Sequence, residues 1–409
     1  MQDSKSLDGI EDQRGPLASG GTKRMQTVDI LRWLSMLVLT GIVYQLVAAE
    51  PSSDPGRADQ VIKKIELTDP VDSEKPKRKH DLVVYRDRRG FPEGYAMTLV
   101  NKVCLDDLCK VVEVKMYWDA TGAYERLEYP RGRPLTKLKH KPFTAGDYER
   151  LDDILKDKRS ILNRHSLGYL AKAGAKKESL LGVDGISGAT PATVRQAVVK
   201  DAAWTTWVLW KYANTEIVPI LHETTESHCT PAYIRHMLGS KDWRRIEFVL
   251  KYLLKQDTVS SDYTMQVAQA MPTADNDQFE LALRFLERAI VDKNQFYRQL
   301  IKTLPSLKES HAAIVIDRAA ADKTLDNEIL VHLTGQLDQL TYYPIHLSLR
   351  LIERRKCFSR AVEQNVARLL DAKDFFVARR ASAFLAKQKL STKTEQKLKS
   401  FRDQYADRL

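Results

Sequence analysis

The stretch Asp184-Gly185-Ile186-Ser187-Gly188-Ala189-Thr190 brings together residue types whose spacing can do chemistry. It offers a carboxylate, a serine hydroxyl, a glycine where the backbone can approach a ligand closely, and a threonine hydroxyl. Pro191 follows, and an apolar-periodic segment begins. Thr190 therefore reads as a helix N-cap with proline at the first helical position. A helix N-terminus carries unpaired N–H groups and about half a positive charge, which favours a phosphate. A hydroxyl at that spot can hold a phosphate or be joined to one.

This stretch closely resembles the flavinylation motif of the FMN-binding domain family, in which Asp, two variable residues, Ser or Thr, Gly, Ala and Thr follow in order. The resemblance implies that Thr190 receives FMN through a phosphoester bond, made by a separate flavin transferase that uses FAD. It also implies that Asp184 and Ser187 shape the acceptor loop, while Gly188 and Ala189 leave room for the phosphate. The flavin-carrying subunits of sodium-pumping and related respiratory complexes usually have Thr or Ser after the acceptor. Here Pro191 stands there and removes one N–H from the phosphate site. In this the chain is similar to the SGATP-type members, which are exported proteins. Tyr117-Trp118-Asp119, Lys141-Pro142-Phe143-Thr144 and Trp204-Thr205-Thr206-Trp207-Val208-Leu209-Trp210 recur in that order in the exported proteins of this kind. The resemblance covers residues 81–214.

The elements around the loop read as an α+β domain. Leu82–Tyr85, Tyr95–Val100, Val111–Trp118 and Tyr124–Tyr129 are rich in Val, Leu and Tyr and predict strands, with a turn at Asp119–Gly122. Helices are predicted over Tyr148–Leu155, with Thr144 as N-cap, over Ile161–Ala173 and over Pro191–Asn214. Strands gathered first and helices later exclude a parallel α/β arrangement. Trp204, Trp207 and Trp210 fall along one side of the last helix. They could serve as a stacking wall for the flavin ring or as a relay, but aromatic stripes usually belong to cores, and a buried helix face is the preferred reading.

Beyond Glu216 no strand pattern occurs, but a repeat does. Ile234 with Leu238, Val267 with Met271, Leu300 with Leu304, Leu333 with Leu337 and Val366 with Leu370 recur every 33 residues. Val249–Lys255, Ala282–Arg288, Ser348–Arg354 and Ala381–Lys387 share that register, with a weaker helix, Ala312–Ala321, at the skipped position. Two helices per repeat predict an all-α HEAT-like solenoid, whose stacked helices usually serve a protein partner. Arg354-Arg355-Lys356 and Arg379-Arg380 are candidate basic contacts, though solvated helix faces explain them as well.

Cys104 and Cys109 bracket a short polar stretch between strand-like segments, and a hairpin there would allow a bridge. Outside the cytoplasm a disulfide is favoured over two free thiols. His222, Glu223, Glu226, His228 and Cys229 could be drawn as a metal site, but they lack a standard ligand spacing and read as an exposed inter-domain segment.

The formal net charge is +11. No aromatic-interleaved RNA motif, zinc-finger spacing or basic zipper accompanies it, so no nucleic-acid partner is expected. Trp33–Ala49 is almost wholly apolar, with Lys23, Arg24 and Arg32 before it and Glu50 and Asp54 after. That charge order sends the following chain out of the cytoplasm, with residues 30–49 either a cleaved signal or a membrane anchor. The organisation read from the sequence is a polar segment at 1–24, a signal peptide or anchor at 25–49 and a flexible tether at 50–80. An FMN-binding-type domain at 81–215 and a helical repeat domain at 216–400 follow. Two functions fit. One is an extracytoplasmic (periplasmic) electron carrier, rather than a complete enzyme, that holds FMN and serves a membrane or exported redox protein. The other is a non-flavinylated scaffold or interaction protein.

Overall fold

The computed structural model describes residues 59–72, 74–102, 111–137, 140–166, 193 and 196–408. They form two compact units, one ending at Ala289 and the other starting at Ile290. The amino-terminal apolar segment, Cys104, Cys109 and the loop Asp184–Thr190 lie outside the described residues. Among the described residues no helix is long and apolar enough to cross a membrane.

The first unit opens with an antiparallel meander of five strands: β1 (Asp59–Leu67), β2 (Arg78–Arg86), β3 (Pro92–Lys102), β4 (Val111–Asp119) and β5 (Tyr124–Glu128). Alternation decides its two faces. In register, Leu82 faces Met97, Met97 faces Met116, and Tyr95 faces Trp118, so these five and Val84, Leu99 and Val114 share one buried face. The helices α1 (Ala145–Lys156), α2 (Ala203–Asn214) and α3 (Ile217–Glu226) supply the rest of that core with Leu151, Leu155, Val208, Trp210, Ile217 and Leu221.

Residues 59–67 fall in the stretch expected to be a flexible tether, and they are instead the edge strand of the sheet. Only Ile65 and Leu67 of this strand are buried. Lys64 pairs with Asp81 across the strands, and Lys63 reaches Thr224. A charged edge strand reads as polar linker because charge is what keeps edges from pairing with other chains. The connection after it is also fastened. Buried Asp69 meets Arg78 at 3.0 Å, and Glu216 accepts from the Thr68 N–H at 2.6 Å and meets Lys77 at 2.7 Å.

The helix expected around Tyr148 is present with its N-cap. Thr144 accepts from the Asp147 N–H, and Asp147 in turn accepts from the Thr144 N–H, a reciprocal capping box. Two other expectations change. Over Ile161–Ala173 the described part holds only a short 3-10 turn, Ile161–Asn163. Of the helix expected over Pro191–Asn214, Thr193 and Gln196 are helical and Ala203–Asn214 forms a separate helix, because Asp201 takes the left-handed conformation (φ 63°) between them.

Helix pairs follow: α4 (Pro231–Leu238), α5 (Trp243–Lys255), α6 (Thr264–Ala270) and α7 (Asn276–Ala289) in the first unit. The second unit holds α8 (Lys293–Thr303), α9 (Glu309–Ala321), α10 (Asn327–Thr334), α11 (Tyr342–Arg355), α12 (Arg360–Arg368), α13 (Phe375–Leu385) and α14 (Thr392–Gln404). The second helices of the pairs begin at Trp243, Asn276, Glu309, Tyr342 and Phe375, a constant step of 33 residues. All ten residues of the repeated apolar pairs are buried. The skipped register is filled by a full helix, α9, whose apolar signal is weak because it packs through Ala312, Ala313 and Ala319 beside buried His311. Within each unit a helix packs on the next but one: α4 on α6 and α5 on α7, then α8 on α10, α9 on α11, α10 on α12, α11 on α13 and α12 on α14.

The joint between sheet and α3 is a buried hydroxyl chain. Thr225 Oγ1 donates to the Ala120 carbonyl at 2.7 Å, so the Tyr95 hydroxyl donates to Thr225 at 2.5 Å. We expect Thr225→Val to destabilise the first unit by about 1–3 kcal/mol for each buried group left unpaired, read by urea unfolding. Adding Tyr95→Phe to it should cost less than the sum of the two changes. In the second unit, Leu333→Ala should cost about 2–5 kcal/mol, because Leu333 is fully enclosed at the repeated position, whereas exposed Arg354→Ala should be nearly neutral.

Candidate functional site

The segment that carries Asp184, Ser187, Gly188, Ala189 and Thr190 is bounded by described residues on both sides, and both boundaries are held by buried helices. On the entry side, the Trp207 indole N–H donates to the His165 carbonyl at 2.9 Å. The Lys211 ammonium donates to the Asn163 carbonyl at 3.1 Å, and the Trp210 indole N–H to the Asp157 carbonyl at 3.0 Å. On the exit side, Arg150 of α1 bonds the Gln196 carbonyl, and the Val199 N–H donates to Thr206 Oγ1 at 3.2 Å. Helices α1 and α2 pack on each other, so the segment leaves from and returns to one rigid pair.

The three tryptophans of α2 are not equivalent. Trp210 is almost fully enclosed, Trp207 shows an edge, and Trp204 is half-buried, with an indole nitrogen that is enclosed and lacks a hydrogen-bond partner. A stripe of this kind is mostly core, as the buried-face reading expects. Two of its indole nitrogens do further work by fixing loop carbonyls.

Beside Trp207 opens a cavity of about 350 Å³, lined by Leu67, Pro70, Trp207, Lys211, Tyr212 and Glu216. This is within the usual size range of small-ligand pockets. Its floor is apolar and its rim is charged. The Lys211 ammonium lies 5.4 Å from the Trp207 ring and 5.6 Å from the Trp210 ring, and burial pushes its pKa below the usual lysine value. Partial burial would raise the Glu216 carboxyl, but hydrogen bonds from Lys77 and Thr68 hold it below the ordinary carboxylate range. The cavity therefore presents an aromatic edge and a partly desolvated cation, with a carboxylate that is already neutralised. Such a slot suits a planar, electron-accepting ring. Sequence reasoning missed Lys211, Glu216 and the contribution of β1. Lys211 stands four residues after Trp207 and was visible as a helical neighbour, whereas Thr68 and Glu216 meet only through the fold.

The residues considered as a metal cluster are not an exposed linker, and the fold does not converge them. They lie on and just after α3, against the sheet. His222 Nε2 bonds the Thr121 carbonyl at 2.9 Å, His228 Nδ1 the Thr224 carbonyl at 2.8 Å, and Glu226 pairs with Lys255 at 2.6 Å. Cys229 donates to the Thr225 carbonyl at 3.7 Å, and burial pushes its thiol up to about 12, so it is an inert structural cysteine. A different trio, Asp87, Glu93 and His236, has donor atoms within 4.8 Å of one another. Arg89 pairs with Asp87 at 2.7 Å and reaches His236 at 3.0 Å, while Arg245 pairs with Glu93 at 2.7 Å. Two guanidinium groups already supply the positive charge, so the trio fastens the β2–β3 hairpin to α4 and α5.

Two of the supporting sequence pieces also have clear structural roles. Trp118 donates to the Ala213 carbonyl at 2.9 Å and so joins the sheet to α2. Asp119 Oδ1 gathers the Thr121 N–H, the Thr121 hydroxyl and the Ala123 N–H at 2.7 to 2.9 Å, building the β4–β5 turn. No protein-family model matches this chain, and none of the curated proteins or solved structures compared with it matches either.

The capping box of α1 makes the support of this region sensitive to acid. A hydrogen bond from Lys137, with the bonds from Thr144, holds the Asp147 carboxyl down to about 2, below its ordinary 3.8. Because the folded pKa is depressed, the contribution is complete above about pH 4 and fades as pH falls toward 2. We expect Asp147→Asn to remove part of the acid-dependent loss of stability across that window, read as Tm against pH.

Proposed function

We propose that this chain is an extracytoplasmic flavoprotein in which FMN is joined to Thr190, with an electron-transfer role and a helical repeat region that engages a partner. The observation that carries this reading is the seven-residue stretch Asp184–Thr190, complete at every position of the flavinylation motif it resembles. Supporting it is an α+β unit in which the segment is bounded by buried tryptophan anchors on one side and an exposed arginine on the other. A cavity with a tryptophan edge and a lysine adjoins the entry side.

FMN, when bound, supplies one- and two-electron transfer. The chain supplies placement. Thr190 gives the hydroxyl for the phosphoester, and His165 and Gln196, on either side of the segment, are tied to α2 and α1. Trp207 and Tyr212 present apolar surface that excludes water from one side of a ring. Lys211, partly desolvated, stabilises negative charge more strongly there than it would in water. A flavin transferase would move FMN from FAD to the Thr190 hydroxyl, forming the phosphoester as the FAD pyrophosphate bond breaks and AMP leaves. A bonded cofactor cannot be lost where no FMN pool exists to reload it, which suits an exported protein. The apolar segment at residues 30–49, as signal or anchor, brings the unit to the outer face of the membrane, near a membrane or exported redox protein.

The repeats are read as a HEAT-like solenoid. Their constant step of 33 residues and the next-but-one packing within each unit support that reading. A second reading, a non-flavinylated scaffold, is favoured by Pro191 alone, which takes one donor from the phosphate site.

Co-expression with a flavin transferase should give a band that fluoresces under ultraviolet light on a denaturing gel, with an intact mass raised by one FMN. Thr190→Ala should abolish both signals. A dark wild-type band, or fluorescence that survives Thr190→Ala, would overturn the assignment. Lys211→Met should leave attachment intact and make the flavin harder to reduce, seen as a lower midpoint potential in a spectroelectrochemical titration.

A further inference from the structure

In the second unit, the outward face of α11 and α13 carries an unusual side-chain set. Tyr343 and Phe376 are 48% and 63% exposed, and Tyr342 is 41% exposed beside them. Tyr343 and Phe376 occupy the same repeat position, one step of 33 apart, at the start of neighbouring helices that pack together. Along the same face follow Arg350 and Arg354 on α11 and Arg379 on α13, all exposed and without a carboxylate partner among the described residues. Glu353, beside Arg354 on α11, is already shared by Arg380 at 3.2 Å and Lys387 at 3.6 Å. At the far end opens a cavity of about 400 Å³ lined by Ile352, Phe358, Lys356, Gln388 and the Glu353–Lys387 pair.

Exposed aromatic rings beside unpaired arginines are costly to leave in water and are the residue types that dominate binding hot spots. We propose that this face of α11 and α13 binds an acidic peptide segment of a partner protein, its carboxylates meeting Arg350, Arg354 and Arg379 and its apolar side chains meeting Tyr343 and Phe376. This rests on reading the repeat region as a partner surface and is independent of the flavin. Charge complementarity selects the occupant. Guanidinium groups bind carboxylates in a bidentate way, and none of the ion pairs among the described residues occupies Arg350, Arg354 or Arg379. The extent of the patch argues against nucleic acid. On α9, which packs against α11, the equivalent positions are Ser310, Ala313, Asp317 and Ala321, so the basic stripe stops after two helices. A phosphate backbone would need a longer basic track.

The test uses the full chain and a phage-displayed library of random twelve-residue peptides, followed by titration of the enriched peptides. Enrichment of acidic sequences that carry aromatic or aliphatic residues is the expected result. Their affinity should fall at least tenfold in Arg350→Glu/Arg379→Glu and in Tyr343→Ala/Phe376→Ala. It should be unchanged in Arg402→Glu, an equal charge change on α14, and in Thr190→Ala. Failure to enrich peptides, enrichment of neutral or basic ones, equal loss in Arg402→Glu, or tighter binding of a twenty-nucleotide oligothymidylate would overturn the proposal. Circular dichroism of each variant separates lost binding from lost fold. Because the flavin assignment is read by gel fluorescence and mass, the two can fail separately.

Discussion

Three buried indole N–H groups hold the first unit together. Each tryptophan places a large apolar ring in the core and has one donor to satisfy. Trp118 satisfies its donor on α2, at the Ala213 carbonyl, and this bond fixes the helix against the sheet. Trp210 and Trp207 satisfy theirs at Asp157 and His165, on the chain between α1 and the motif-bearing segment. The same residues that bury the sheet therefore also immobilise the backbone leading to the candidate site. Packing and loop placement become one constraint, since a change in either leaves a donor unpaired in the core.

Several buried polar groups of this unit offset their burial through bonds to the backbone. Thr225 serves Ala120 and Tyr95, His222 serves Thr121, and Asp119 serves its own turn. The histidines, acids and cysteine that look like chemistry in the sequence are used as fasteners between α3, α4, α5 and the sheet. Their donors and acceptors point in different directions, which is why they do not converge on a common point. Arginines without a carboxylate partner among the described residues lie elsewhere, along α11 and α13 in the second unit.

Both units rest on periodic burial, and that is the part of the fold most open to reading in advance. In the strands around Leu82, Tyr95 and Trp118 the large core residues recur at every second position, because a sheet with one covered face needs apolar residues there. The 33-residue step was visible because the same enclosed position recurs in each helix pair. It faded at α9, where small alanines replace the large apolar residues that carry the signal. It was silent at β1, whose lysines belong to an edge, and at Asp201, where a left-handed residue ends what looks like a continuous helix.

By itself, the sequence determined the order of sheet and helical repeats, the repeat step, and the seven-residue stretch whose resemblance to a flavinylation motif underlies the proposal. These are local or periodic properties, and they survive without knowledge of which residues meet. Only the tertiary structure decided which residues meet. It brought Thr68 and Lys77 to Glu216 and set Lys211 over two indole rings. It paired Glu353 away from Arg350 and Arg379, and so left those two arginines unneutralised beside exposed rings. The physical reason is that a charge becomes available or spent according to its neighbours within a few ångströms. Those neighbours are distant in the chain and carry no pattern along it.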